Sequence, residues 1–161
     1  MVNKAVFLDR DGVINHDPDD YTYLLSETTI LPGIIEFAQK VKEKGYLLIV
    51  ITNQGGINKG RYTKSDVEAV NDYIQSEFNK AGVSIEEFFY CPHHNARQAC
   101  LCRKPDSLLI ERGLYKYNVD PQKSYFIGDK WRDVECGEKA GVKGIKIDVN
   151  VISDSLIDLI A

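Results

Sequence analysis

Short apolar runs recur along the chain with turn residues between them: Ala5 to Leu8, Tyr46 to Ile51, Phe88 to Tyr90, Ser124 to Ile127 and Gly144 to Ile147. Each is brief, rich in β-branched or aromatic residues and mostly continuous, the pattern of a strand buried on both faces. The intervals between them carry apolar residues at helical spacing. Pro32-Gly33 opens one helix, in which Ile34, Phe37, Ala38 and Val41 share a face, and Gly45 stands where a C′ residue closes it. Thr63 with Asp66 behind it has the form of a capping box, followed by Val67, Val70, Ile74 and Phe78 on one face and Gly82 at the end. Pro105 is expected to begin a third helix containing Leu108, Leu109 and Leu114, weakened in its second half by Gly113. A fourth runs from about Arg132 to Ala140 and stops at Gly141, and Ser153 to Ile160 makes a short last helix.

Strands alternating with helices predict parallel strands joined by right-handed crossovers, hence a doubly wound parallel α/β sheet. In such sheets ligands bind at the carboxyl ends of the strands. That rule singles out Asp9-Arg10-Asp11-Gly12, Thr52-Asn53-Gln54-Gly55-Gly56, Cys91-Pro92-His93 and Gly128-Asp129-Lys130. The length of 161 residues predicts one domain over 1–161, with 91–102 as a small appended loop.

A composition of 43% hydrophobic and 27% charged residues allows a core to form. The net charge of −4, with scattered basic residues, argues against nucleic acid as the main partner. Met1 to Leu8 has no signal-peptide pattern, and no stretch is suited to spanning a membrane, so the expected compartment is the cytoplasm. In that reducing setting the four cysteines are expected as metal ligands or buried thiols, not disulfides.

Asp9 and Asp11 follow a buried strand, and Asp129 with Asp133 behind it follows the fourth. The fold would bring these carboxylates to one sheet edge, where their repulsion is relieved by a hard cation such as Mg²⁺. Thr52 offers a hydroxyl and a backbone N–H, Gly55-Gly56 lets backbone approach a ligand closely, and Lys104 supplies a compact positive charge at the expected start of the third helix. Singly, these features also fit a turn, a strand end and a surface lysine; their common placement is what points to phosphate.

Between the third strand and Lys104 lies a second constellation. Cys91-x-His93 followed by Cys100-x-Cys102 supplies the ligands of a tetrahedral Cys₃His zinc site, with His94 as rival to His93. Four protein ligands leave no open position, which makes such a zinc structural. Its expected task is to stiffen the loop that delivers Arg103 and Lys104.

The order Asp9-x-Asp11-Gly12-Val13, Thr52-Asn53, Lys104 and Gly128-Asp129, with Asp133 following, resembles the four motifs of the haloacid dehalogenase superfamily over nearly the whole chain. The resemblance implies a phosphatase in which Asp9 is the nucleophile, Asp11 the general acid and base, Thr52 and Lys104 phosphate-binding groups, and Mg²⁺ is held by Asp9, the Asp11 backbone carbonyl and Asp129. No insertion large enough for a separate cap domain is present, so the site is expected to be open.

Cys-Pro-His, the paired cysteines and Arg103-Lys104-Pro105 resemble the zinc-containing branch of that superfamily, which includes the heptose 1,7-bisphosphate 7-phosphatases of lipopolysaccharide precursor synthesis and the histidinol-phosphate phosphatases. Thr52-Asn53-Gln54 and Gly128-Asp129-Lys130 look more like the heptose enzymes, and the resemblance makes His93 the preferred zinc ligand. The 93–100 segment is short for that group, and Gly55 stands where serine is frequent. Asn53, Gln54, Arg61, Arg103 and Lys130 are the candidate substrate-binding residues; a small phosphorylated metabolite is the expected partner and a monomer the expected state. A phosphoreceiver signalling domain would carry its acceptor aspartate on the third strand, which here ends in Cys91.

Overall fold

All five apolar runs form strands of one parallel sheet, and the computed structural model describes every residue from Met1 to Ala161. The strands are β1 (Ala5–Leu8), β2 (Leu47–Asn53), β3 (Glu87–Cys91), β4 (Tyr125–Gly128) and β5 (Lys143–Lys146), in the order β3-β2-β1-β4-β5. Helices α1 (Ile34–Glu43), α2 (Lys64–Lys80), α3 (Leu108–Lys116) and α4 (Trp131–Lys139) alternate with them. The central strand, β1, is completely buried and pairs with β2 through Leu8 opposite Val50 and with β4 through Leu8 opposite Ile127.

Successive side chains of a strand point to opposite faces, and the core divides accordingly. Val6, Leu8, Leu48, Val50 and Ile127 pack with Phe37, Val70, Ile74 and Phe78 of α1 and α2 on one face. Ala5, Phe7, Ile49, Ile51 and Phe126 pack with Leu109, Ile110 and Cys136 of α3 and α4 on the other. The chain winds outward from β1 through β2 to β3, then returns across β1 to build β4 and β5. Strand order therefore reverses at β1, and the crevice above it is the expected ligand site.

The Thr63 capping box forms as the spacing predicts, with Asp66 N–H donating to the Thr63 hydroxyl at 3.2 Å and Thr63 N–H to the Asp66 carboxylate at 2.8 Å. Two expectations need correction. Pro105 does not begin α3: residues Arg103 to Asp106 form a turn closed by an Asp106 N–H to Arg103 carbonyl bond of 2.9 Å, and the helix starts at Leu108. The last helix is a 3-10 segment, Asp154–Leu159. Gly113, a weak helix former, has a packing reason: a Cβ there would lie 2.9 Å from the Phe7 ring, so its absence lets α3 lie close to the sheet. No helix is long and apolar enough to cross a membrane.

Candidate active site

The end of β1 places Asp9 between two neighbours, its N–H bonded to the Ile127 carbonyl of β4 at 3.0 Å. Thr52 stands near the end of β2 and Asp129 directly after β4, so three adjacent strands deliver them to one edge. Carboxylate oxygens of Asp9, Asp129 and Asp133 all lie within 4.8 Å of one another. Lys104 reaches into this group, with Nζ 2.8 Å from Asp9 Oδ1, 2.8 Å from Asp133 Oδ1 and 3.0 Å from the Ile51 carbonyl that it donates to. Its place differs from the sequence expectation: Lys104 does not sit at the N-terminus of α3, but is buried in the turn ahead of it. Asn53 holds that turn, accepting from Lys104 N–H at 3.0 Å and donating to its carbonyl at 3.2 Å.

Burial pushes the Asp9 carboxyl up to about 7; Lys104 opposes this, while Asp133 and Asp129 add to it. Burial and then Asp133 also raise Asp129. For Lys104, burial works against the charge, but Asp133 and Asp9 outweigh it and the ammonium is held well above its ordinary value. Asp133 has a second task, since its Oδ2 accepts from Lys130 N–H at 3.1 Å and caps α4. Both oxygens of Asp129 are buried without a hydrogen-bond partner. Two orphaned carboxylate oxygens facing another carboxylate suit a hard cation with oxygen preference, and Mg²⁺ fits this donor set.

Asp11 lies on a different network. Arg10 donates to it from Nε at 3.2 Å and Nη2 at 3.1 Å, Asn15 at 3.0 Å, and Gln54 to its Oδ2 at 2.9 Å. The Tyr62 hydroxyl fixes Gln54 in turn, donating to Oε1 at 2.6 Å. Gln54 is thus a buried support for Asp11. Asn15 and Tyr62 escaped the sequence reading, and Arg10 was singled out within the Asp9 to Gly12 segment without a role; a charged residue inserted between two aspartates at a strand end was the available signal. Gly12 takes a left-handed φ of 86°, and a Cβ there would fall 2.7 Å from Asp129 Oδ2.

After β3, the four expected zinc ligands converge. Cys91 Sγ is 3.1 Å from Cys102 Sγ and 3.7 Å from Cys100 Sγ, and His93 Nδ1 is 3.3 Å from Cys102 Sγ and 3.6 Å from Cys91 Sγ. These separations match the edges of a small tetrahedron around one ion. His94 is outside it; its Nδ1 accepts from Ala96 N–H at 3.1 Å. Burial and the neighbouring Cys102 push the Cys91 thiol far up. Arg103 is fastened to this loop by its Nη1, which donates to the His93 carbonyl at 3.1 Å. Gly55 makes room for the loop, since a Cβ there would lie 3.0 Å from both Arg103 Nη1 and the His93 carbonyl.

A small cavity of about 90 Å³ opens onto the site, and Asp9, Asp11, Thr52, Asn53, Lys130 and Arg132 contribute to its wall. Arg132 was not among the sequence candidates. Arg61 stands farther out, paired with Asp20 at 3.1 Å and 5.1 Å from the Tyr21 ring, and Lys130 lies 3.8 Å from Asp17. Trp131 is exposed with Lys146 over its ring, His16 is exposed, and Cys136 is a buried thiol donating to the Asp106 carbonyl.

With this geometry in view, comparisons with known proteins converge. Residues 101–158 match the Hydrolase-like family of HAD hydrolases. The D-glycero-beta-D-manno-heptose-1,7-bisphosphate 7-phosphatase of Haemophilus ducreyi is 34% identical over 149 residues, covering 89% of this chain and 81% of that protein. The alpha-anomer counterpart of Campylobacter jejuni is 38% identical, covering 93% and 84%. Among solved structures, a D,D-heptose 1,7-bisphosphate phosphatase from B. bronchiseptica, complexed with magnesium and phosphate, superposes with a TM-score of 0.82 at 28% identity, over 88% of this chain and 78% of that one. Shared identity across most of both chains, on one fold and with the aspartates and lysine gathered at one sheet edge, places this chain in the HAD-like hydrolase family, as a phosphatase.

Proposed function

We propose that the chain removes the 7-phosphate of D-glycero-D-manno-heptose 1,7-bisphosphate through an aspartyl-phosphate on Asp9. The observation that carries the catalytic reading is the buried Asp9 carboxylate with Lys104 at 2.8 Å and the orphaned Asp129 oxygens beside it. The substrate rests on the names of the relatives.

An Asp9 carboxylate oxygen attacks phosphorus, the bond from phosphorus to the sugar oxygen breaks, and the Asp11 carboxyl gives its proton to that oxygen. Asp11, now ionised, takes a proton from water; the water oxygen attacks phosphorus, the bond to Asp9 breaks, and inorganic phosphate leaves. Lys104 reduces the repulsion between the attacking carboxylate and the phosphate dianion, and Thr52 and Asn53 offer polar groups to its remaining oxygens. Asp9, the Asp11 backbone carbonyl and Asp129 would hold Mg²⁺, which neutralises phosphate charge when bound.

Cys91, His93, Cys100 and Cys102 hold a structural Zn²⁺ in this reading, fixing the loop that carries Arg103 and Lys104. Arg103 and Lys130 serve the substrate; Arg61 is available at the outer rim. The enzyme works as a cytoplasmic monomer on a small soluble phosphate.

Phosphate release from both anomers of the heptose bisphosphate and, in parallel, from histidinol phosphate tests the proposal in wild type and Asp9→Asn. Release from a heptose bisphosphate that falls to background in Asp9→Asn supports it. Preference for histidinol phosphate would replace the substrate and leave the mechanism standing; normal turnover by Asp9→Asn would remove the mechanism.

A further inference from the structure

Most cations at the active-site mouth are matched by an acid: Arg61 by Asp20, Lys130 by Asp17, and Lys104 by Asp9 and Asp133. Arg132 is not. It lines the same cavity as Asp9, Asp11 and Thr52, forms no ion pair, and its buried Nε has no hydrogen-bond partner. Arg103 also lacks an acidic partner and bonds only to the His93 carbonyl, at 3.1 Å.

A buried donor without an acceptor is costly, and so is a pair of unmatched guanidiniums. Both costs are relieved by an anion, and arginine's planar fork is suited to phosphate oxygens in particular. The reacting phosphate already has Lys104.

We propose that Arg132, on the first turn of α4, binds a second phosphate of the substrate together with Arg103, and so selects doubly phosphorylated sugars over monophosphates. This rests on the phosphatase reading above and deepens it by assigning a residue to substrate class. Arg61, the outer candidate, is already neutralised by Asp20.

The test compares kcat/KM for matched pairs: heptose 1,7-bisphosphate with heptose 7-phosphate, and fructose 1,6-bisphosphate with fructose 6-phosphate. Wild type is expected to favour the bisphosphate of a pair. In Arg132→Gln that preference should shrink by about tenfold to a hundredfold, the range for one charge-assisted contact, chiefly through KM of the bisphosphate. Arg132→Lys keeps the charge without the fork and should recover part of the preference, which a general folding defect would not do. Equal losses on both members of a pair, or a wild type with no preference in either pair, would overturn the role of Arg132. A preference confined to the hexose pair would sink the heptose assignment alone, leaving Arg132 to be judged on that pair. A wild type that hydrolyses neither bisphosphate overturns both.

Discussion

The completely buried guanidinium of Arg10 grips the carboxylate of Asp11 from two nitrogens, Nε at 3.2 Å and Nη2 at 3.1 Å. The same guanidinium donates to Asn71 Oδ1 on α2 at 3.2 Å and to the Thr22 carbonyl at 2.9 Å, so Asp11 is anchored to two separate parts of the fold. Arg10→Lys preserves charge but loses the fork. If Asp11 delivers a proton to the leaving group, kcat should fall about tenfold or more for a sugar phosphate and much less for p-nitrophenyl phosphate, whose leaving group needs little protonation. Asp11→Asn should show the same selectivity. Uniform loss on both substrates by Arg10→Lys, with selective loss by Asp11→Asn, would confine Arg10 to a structural role.

Metal dependence should vary with pH in a defined direction. Asp9 is pushed up to about 7 in the fold from an ordinary value of 3.8, so between these values the folded chain holds a proton that the unfolded chain has lost. Metal-free stability from this group is therefore complete below the lower value and declines as pH rises through the upper one. Mg²⁺ competes with that proton. The rise in Tm on adding Mg²⁺ should be small at pH 5.5 and larger at pH 8; an increment that shrinks over this interval would contradict the assignment of Asp9 as a ligand.

Zinc content separates the two adjacent histidines. Purified protein should carry one zinc per chain by elemental analysis, retained in His94→Ala and lost in His93→Ala and Cys102→Ser. Removal by a chelator should also loosen Arg103, which is tied to the His93 carbonyl, and raise KM for the bisphosphate more than for a monophosphate. Zinc retention in Cys102→Ser would break the ligand assignment.

Gly12→Ala tests how closely backbone and metal site are fitted. A left-handed φ of 86° costs an ordinary residue about 1–2 kcal/mol, and the new methyl would sit 2.7 Å from Asp129 Oδ2. Tm should fall by about 2–8 °C, with Mg²⁺ affinity weakened at least about tenfold. Unchanged Mg²⁺ affinity in a calorimetric titration would mean that Asp129 is not held against Gly12 in solution.

Strand positions and the two-layer core were readable because continuous β-branched runs and helical spacing survive burial on both faces, as in Ala5 to Leu8 and in Val67, Val70, Ile74 and Phe78. Asp9, Thr52 and Asp129 were readable because each ends a strand. Lys104 was found but misplaced, since a proline that suits the first turn of a helix equally suits the turn before one. The roles of Arg10, Tyr62 and Arg132 were not read, for a different reason. Arg10 reaches Asn71 on α2 and the Thr22 carbonyl as well as its neighbour Asp11, and Arg132 lines a cavity with Asp9 and Thr52, meetings across the chain that hydrophobic spacing does not record.

The sheet acts as a ruler. Asp9, Thr52 and Asp129 hang from three neighbouring strands whose separation, roughly 4.8 Å, is set by backbone hydrogen bonds that any sequence can make. The distances that matter to phosphoryl chemistry are thus inherited from the peptide backbone. The segments around Tyr21, Arg61, Arg103 and Arg132, among which the proposed substrate contacts fall, lie off that ruler, and they can change to suit another sugar while the spacing at phosphorus stays where β2, β1 and β4 put it.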